Sequence, residues 1–592
     1  MKKMLALVLA AAMAFSMAAC GGNQTNSGST GTSASAGSAT AGNAGITVQL
    51  GPNPETLDPA LNSAVDGGNM LLTAFEGLLI IDENNEVKPG QAESYEVSDD
   101  GLTWTFHLRE GLKWSDGTDL DATDFVYSYK RVADPATAAP YSATAVGMIA
   151  GYDEAMAGNP DALQVEAPDA NTFVVHLAYP CTYFDKLAAF PSLSPVQQET
   201  VEANGDAWAT DPATYVSNGP FRMTEWTVGQ QIVFTKNPNY KGGWDTSKIV
   251  SDSITFLLME DSTAAYTVFQ TGQASLVRDV PTEEIPALTG TPEFKVDPIM
   301  STSYLHMNLE KEPFNDVNVR KALSLAIDRE FVAGTVQQGT YKPGYHLNGP
   351  GITDADGKTP FQDNANATYL PTDYEESKKM AQEALAAAGY PNGEGFPVIT
   401  YTTNDSGYNK AVAEYLQQCY KEVLGITMEI EIVEWSSFTP LRRSGDFEMA
   451  RGGWVFDYND PSNILELFTS ENGNNDGRYK NPTYDELMNS TQIADKDKRY
   501  EILHQAEDLI MSEYAMIPVA HNNDYWLQST DLQGVWHSPY GFWYLQYAYV
   551  GEPASAESES VAASEEAVSE ESTSASASVE ASSEASTSAS AA

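Results

Sequence analysis

Three cysteines in 592 residues cannot build a disulfide framework. Seven histidines are present (His107, His176, His306, His346, His504, His521 and His537), and no two stand three or four positions apart, so no local histidine pair is available to a metal. Basic residues are scarce: 32 Lys and Arg face 82 Asp and Glu, a formal net charge of −50. A polyanion is bound by displacing its counterions with Lys and Arg, so a nucleic acid partner is excluded. Unassisted docking on an anionic membrane is disfavoured for the same reason. Dinucleotide and phosphate-loop glycine patterns, a nucleophile elbow, H-E-x-x-H and C-x-x-C are all missing, as are repeats of solenoid period. The Asp116, Asp119, Asp121 and Asp124 cluster around Gly117 fails calcium-loop spacing and reads as a turn followed by a helix start. These absences point away from an enzyme and imply no cofactor. An active site assembled in space from a carboxylate pair, as in a secreted hydrolase, stays open as another class.

The one long apolar run, Leu5 to Phe15, follows Lys2 and Lys3 and is too short to span a bilayer. It ends in Met17-Ala18-Ala19-Cys20-Gly21, which resembles the lipobox of bacterial lipoproteins. The resemblance implies a signal peptide over 1–19 and a lipid-anchored Cys20; an ordinary signal cut beside a chance cysteine is the alternative. Residues 20–44 form a small, polar, uncharged linker. Residues 551–592 are a Ser/Ala/Glu tail with nine Glu and no Lys or Arg, too polar to bury a core. The body between them stays strongly acidic without either end, which favours solubility over a specific cationic partner.

The body mixes strands and helices, an α/β pattern. Ile46–Leu50 reads as an opening strand, and Thr103–Leu108 alternates as a half-buried one. Phe125, Val126, Tyr129 and Val132 have helical spacing behind a cap at Asp121 or Thr123. Thr372 and Glu375 form a capping-box pattern for a helix running to about Gly389. A strand over Pro397–Thr402, a helix carrying Val412, Leu416, Cys419 and Val423 and ended by Gly425, and a strand with Ile426, Met428, Ile430 and Ile432 then make a β-α-β unit and a parallel sheet. Cys419 lies on the apolar stripe of its helix, so a buried thiol is expected. Cys181 is expected to be free as well, a bond between the two being the alternative.

Four segments carry a resemblance. They are Asp100-Gly101-Leu102-Thr103-Trp104-Thr105-Phe106-His107-Leu108-Arg109-Glu110-Gly111 with Lys113-Trp114-Ser115-Asp116-Gly117; Asn218-Gly219-Pro220-Phe221 with Lys236-Asn237-Pro238-Asn239-Tyr240; Pro313-Phe314-Asn315-Asp316 through Ala326-Ile327-Asp328-Arg329; and Arg451-Gly452-Gly453-Trp454-Val455-Phe456-Asp457-Tyr458-Asn459-Asp460-Pro461. Together, and in this order, they resemble the extracellular solute-binding proteins, family 5, of peptide ABC importers. The resemblance implies a periplasmic-binding-protein-like α/β fold of type II: two lobes, a hinge and an extra subdomain. It places lobe I at 45–76, 215–296 and 518–550, the extra subdomain at 77–214 and lobe II at 297–517.

The function so implied is that of a monomeric, lipid-anchored protein on the extracellular face of a bacterial membrane. It would capture oligopeptides between its lobes and hand them to an ABC permease; dipeptides, nickel chelates, haem or oligosaccharides are the alternative ligands. Asp457 matches the position that pairs with the peptide's α-ammonium, and an ammonium taken out of water needs such a fixed anion. Capping of a turn before Pro461 is its alternative role. Trp435, Arg442, Arg451, Gly453 and Trp454 match further pocket positions, with Val65 and Tyr141 on the other lobe. Backbone groups near Gly453 and Val455 would pair with the peptide as an added strand. Core packing remains the alternative for Trp435 and Trp454, and a structural ion pair for Arg442 and Arg451. Ser63 and His306 stand where the resemblance leads one to expect acidic residues. Gln337 and Asn409 stand at cationic or histidine positions for the peptide carboxylate, a task left to Arg442, Arg451 or Lys410.

Overall fold

The structure, a computed structural model, describes residues 45–551 apart from 182, 366–368 and 493–495. The leader, Cys20, the linker and all of the tail beyond Gly551 lie outside the described residues. The described residues all fall within one compact unit.

Its backbone is an eleven-stranded mixed sheet. In chain order the strands are β1 (Ile46–Gln49), β2 (Phe221–Thr227), β3 (Gln231–Lys236), β4 (Ser253–Leu257), β5 (Leu276–Val277), β6 (Phe294–Met307), β7 (Lys342–Pro343), β8 (Ile399–Asn404), β9 (Met428–Val433), β10 (Met449–Val455) and β11 (Met516–Gln528). They lie in the order β9-β8-β10-β6-β11-β5-β1-β4-β3-β2, with β7 pairing β11. The two long strands β6 and β11 join the halves. They pair antiparallel over Phe294–Pro298 with Leu527–Asn523, and again over Thr302–His306 with His521–Met516, with a register shift between Pro298 and Thr302. A second sheet of four antiparallel strands carries Thr103–Leu108 at its centre, with Trp104, Phe106 and Leu108 buried as their alternation requires.

The β-α-β unit forms as its pattern predicts: β8 and β9 are parallel, joined by the helix Gly407–Leu424, which stops at Gly425 in the left-handed conformation. Two details differ. The strand begins at Ile399 rather than Pro397, because Pro397 offers no N–H and Val398 is 54% exposed. The helix Tyr374–Ala387 is capped by Asp373, not Thr372, since its carboxylate reaches the N–H groups of both Glu375 and Glu376. Of Asp121 and Thr123, Asp121 is the cap, in a reciprocal box with Asp124. Cys181 and Cys419 are both free and buried, and the Cys419 thiol donates to the Ala326 carbonyl at 2.9 Å. Among the described residues no helix is long and apolar enough to cross a membrane, and no group of His, Cys, Asp and Glu is arranged to hold a metal ion.

Candidate functional site

One cavity of about 260 Å³ lies beside β10 and the register shift of β6 and β11. All eleven residues singled out for ligand binding line it: Ser63, Val65, Tyr141, His306, Trp435, Arg442, Arg451, Gly453, Trp454, Val455 and Asp457. Asn409 lines it too, donating to the Asn404 side chain at 2.8 Å.

β10 explains the position of the first group. It pairs with β6 through Ser301–Met307, but its other edge meets β8 only at Met449 and Ala450. The Phe456 N–H donates to Met300, and hydrogen-bonded pairs alternate along an antiparallel ladder. Gly452 and Trp454 therefore turn their backbone groups toward β6. Arg451, Gly453 and Val455 turn theirs toward the open edge, and the Arg451 carbonyl there accepts from Arg442 Nη1 at 3.3 Å. The same alternation buries Trp454 against the Tyr141 ring, 5.5 Å away.

Asp457 lies just past this strand. Its Oδ2 accepts from Asn463 Nδ2 at 3.1 Å and its Oδ1 from the Tyr141 hydroxyl at 3.2 Å. Asn463 Oδ1 in turn accepts from Asp457 N–H and from the Trp454 indole, so one buried amide orients both side chains. Among the described residues no cation pairs with Asp457, and burial pushes its carboxyl up to about 7. The turn before Pro461 belongs to Asp460, which accepts from Ser462 N–H and pairs with Arg499. Asp457 is therefore free of a capping role.

Arg451, at the other end of β10, is the positive counterpart. It forms no ion pair among the described residues, stands 5.7 Å from the centre of the Trp435 ring, and is held below the usual guanidinium range by burial and by Arg442. The structural alternative does hold for Arg442, which contacts Asp476 at 2.5 Å while also lining the cavity. Desolvation, and after it the charges of Arg442, Arg451 and Arg478, push the pKa of the buried His306 far down, so the ring is neutral and is no substitute for a carboxylate. Trp435 opens the helix Trp435–Ser444, and its indole N–H donates to Asp66 at 3.1 Å; it walls the cavity and also packs against the small core cluster of Phe438, Phe447 and Ala450. Ser63 accepts from Arg443, which also pairs with Glu55 at 3.3 Å.

One expectation fails: Lys410 is tied to Asp405 at 2.6 Å and does not line the cavity. Gln337, which was not given the carboxylate, is fully buried and does not line the cavity either. Asn463, Asp66, Glu260 and Arg443 escape a reading of the sequence. Asn463 lies six positions beyond Asp457 and Asp66 is adjacent to Val65, so proximity was the available signal; Glu260 and Arg443 carry none.

The model of the bacterial extracellular solute-binding proteins, family 5, matches residues 86–476. The periplasmic oligopeptide-binding protein OppA of Salmonella typhimurium is 36% identical over 485 residues, covering 79% of this chain and 85% of that protein. The Haemophilus influenzae OppA structure in complex with RPPGFSPFR superposes with a TM-score of 0.78 at 30% identity, covering 86% of this chain and 99% of that one. The unliganded open form of the periplasmic murein tripeptide-binding protein MppA, 29% identical and covering 85% of this chain and 97% of that one, reaches only 0.55.

Proposed function

The chain belongs to the bacterial extracellular solute-binding proteins of family 5, and on that premise we propose that it captures short peptides outside the cell and presents them to an ABC importer. It is a binding protein and not an enzyme. The observation that carries the peptide reading is the pairing of charge and backbone along β10. An anion without a cation, Asp457, stands at one end of an open strand edge, and a guanidinium without an anion, Arg451, at the other. They stand six positions apart, at most about 20 Å of extended chain. A zwitterionic peptide laid along that edge would meet Asp457 with its ammonium, the groups of Gly453 and Val455 with its amides, and Arg451 with its carboxylate. Main-chain recognition of this kind tolerates many side chains.

The lobes would be those drawn from the sequence, 45–76, 215–296 and 518–550 against 297–517, with 77–214 as the extra subdomain. The register shift at Pro298–Thr302, close to the boundary at 297, supports a hinge there. The lower TM-score to an open, unliganded relative supports a closed arrangement with the cavity between the lobes. Closure signals occupancy only if ligand binds the closed form better than the open one. We place the mature chain as a monomer anchored through a lipid on Cys20, its linker spanning 20–44.

Mass spectrometry of the small molecules released from the natively purified protein tests this reading. Peptides are expected, and those peptides added back should raise the melting temperature by mass action. A nickel chelate, haem or glycan in their place would overturn it.

A further inference from the structure

The cavity wall around Trp435 carries more negative charge than a zwitterion can balance. Asp66, Glu260, Asp279 and Asp524 all line it, against the single guanidinium of Arg278 on that side. Arg278 is committed to Asp524 at 3.0 Å, and His537 Nε2 stands 2.9 Å from the same carboxylate. Asp279 accepts from Gln49 at 2.6 Å. That leaves Asp66 and Glu260, both set against one residue. The Asp66 carboxylate accepts the Trp435 indole N–H at 3.1 Å, and Glu260 accepts the Trp435 backbone N–H and Asn404 Nδ2, each at 3.2 Å. Neither carboxylate has a cation within ion-pair distance among the described residues. Lys410 is held by Asp405, and Arg451 stands over the face of the indole and not at its N–H edge.

A second observation is independent of these carboxylates. Thr439, one helical turn beyond Trp435 and so on the same face, lines the cavity, is 3% exposed, and its hydroxyl has no hydrogen-bond partner. A buried hydroxyl left unmatched inside a ligand cavity calls for a polar group from the ligand.

We propose that Asp66, Glu260 and Thr439, grouped around Trp435, form a subsite for a lysine or arginine side chain of the bound peptide. An ammonium or guanidinium supplies several N–H donors and no acceptor, and here meets acceptors only on its polar side, with the indole as an apolar wall for its methylene stem. Burial pushes Asp66 up to about 6 and Glu260 up to about 7, in line with carboxylates that await a cation.

The inference rests on the peptide reading, and the test separates the two. Alanine tri- to pentapeptides carrying either lysine or its uncharged isostere norleucine at each position in turn are titrated calorimetrically into the purified full-length protein. At one position lysine should be favoured by about tenfold or more. Glu260→Gln loses the charge and keeps one of the two oxygens that receive Asn404 Nδ2 and the Trp435 N–H, and should bring that ratio close to one. Glu414→Gln, on an exposed helix face, should leave the ratio unchanged. A lysine-to-norleucine ratio near one at every position, or a preference that survives Glu260→Gln, overturns the subsite while the peptide reading stands. Failure of every peptide to bind overturns both.

Discussion

Asp457→Ala should cost about 3–5 kcal/mol of peptide affinity, roughly two to nearly four orders of magnitude in Kd, because it leaves the ligand ammonium desolvated with no anion. Of the carboxylates beside it, Asp460 is committed to Arg499, and Glu466 accepts from the Tyr458 hydroxyl at 3.3 Å and does not line the cavity. The same residue sets a pH profile. Burial raises its carboxyl to about 7, and it must be ionised to receive an ammonium. The ligand's charge favours the ionised form, so the value in the complex is lower. Affinity should therefore weaken as pH falls below 7, level off just above it, and decline again once the peptide's own amine, with a pKa of about 8, loses its proton. Calorimetry between pH 5.5 and 9 should show this profile in the native protein, and its acid limb should vanish in Asp457→Asn. An acid limb that persists in that variant would assign the effect to another group.

Arg131→Ala should lower folding stability by a similar amount, about 3–5 kcal/mol, for a structural reason. Its guanidinium grips the Asp58 carboxylate bidentately, at 2.8 and 2.5 Å, and Trp208 Nε1 donates to the same group at 3.0 Å. Asp58 is 2% exposed, so loss of the arginine strands a charge where water cannot reach it. The pair fastens the helix Ala122–Ala133 to the segment that leads into the cavity wall at Ser63–Asp66. Urea unfolding should show an earlier midpoint, partly restored in the double variant Arg131→Ala/Asp58→Asn, which removes the stranded charge. An unchanged midpoint in the single variant would mean that Asp58 is solvated or protonated in the native fold.

How much of this was readable from the chain depended on whether a signal was local. The run Arg451–Pro461 holds the strand edge, the indole wall and the orphan carboxylate within eleven consecutive residues, so its resemblance to the family was visible without a fold. The β-α-β unit was legible because its apolar periods, 2 and then 3.6 and then 2, are uninterrupted. Ends were less so: Thr372 and Asp373 both make good caps, and only the geometry of two N–H groups decides between them. Asp66 and Glu260 meet at Trp435 from positions about 170 to 370 residues away, and nothing in a neighbouring residue announces such a contact. Lys410 was misjudged for the same reason in reverse, since its partner Asp405 was in plain view but its orientation was not.

The central claim, that Asp457 neutralises the amino end of an enclosed peptide, is tested most directly with one pair of ligands. A tripeptide recovered from the native protein and its N-acetylated twin differ only in that charge. The free amine should bind at least about a hundredfold more tightly, and Asp457→Ala should erase the difference. Equal affinities in the native protein would contradict the account.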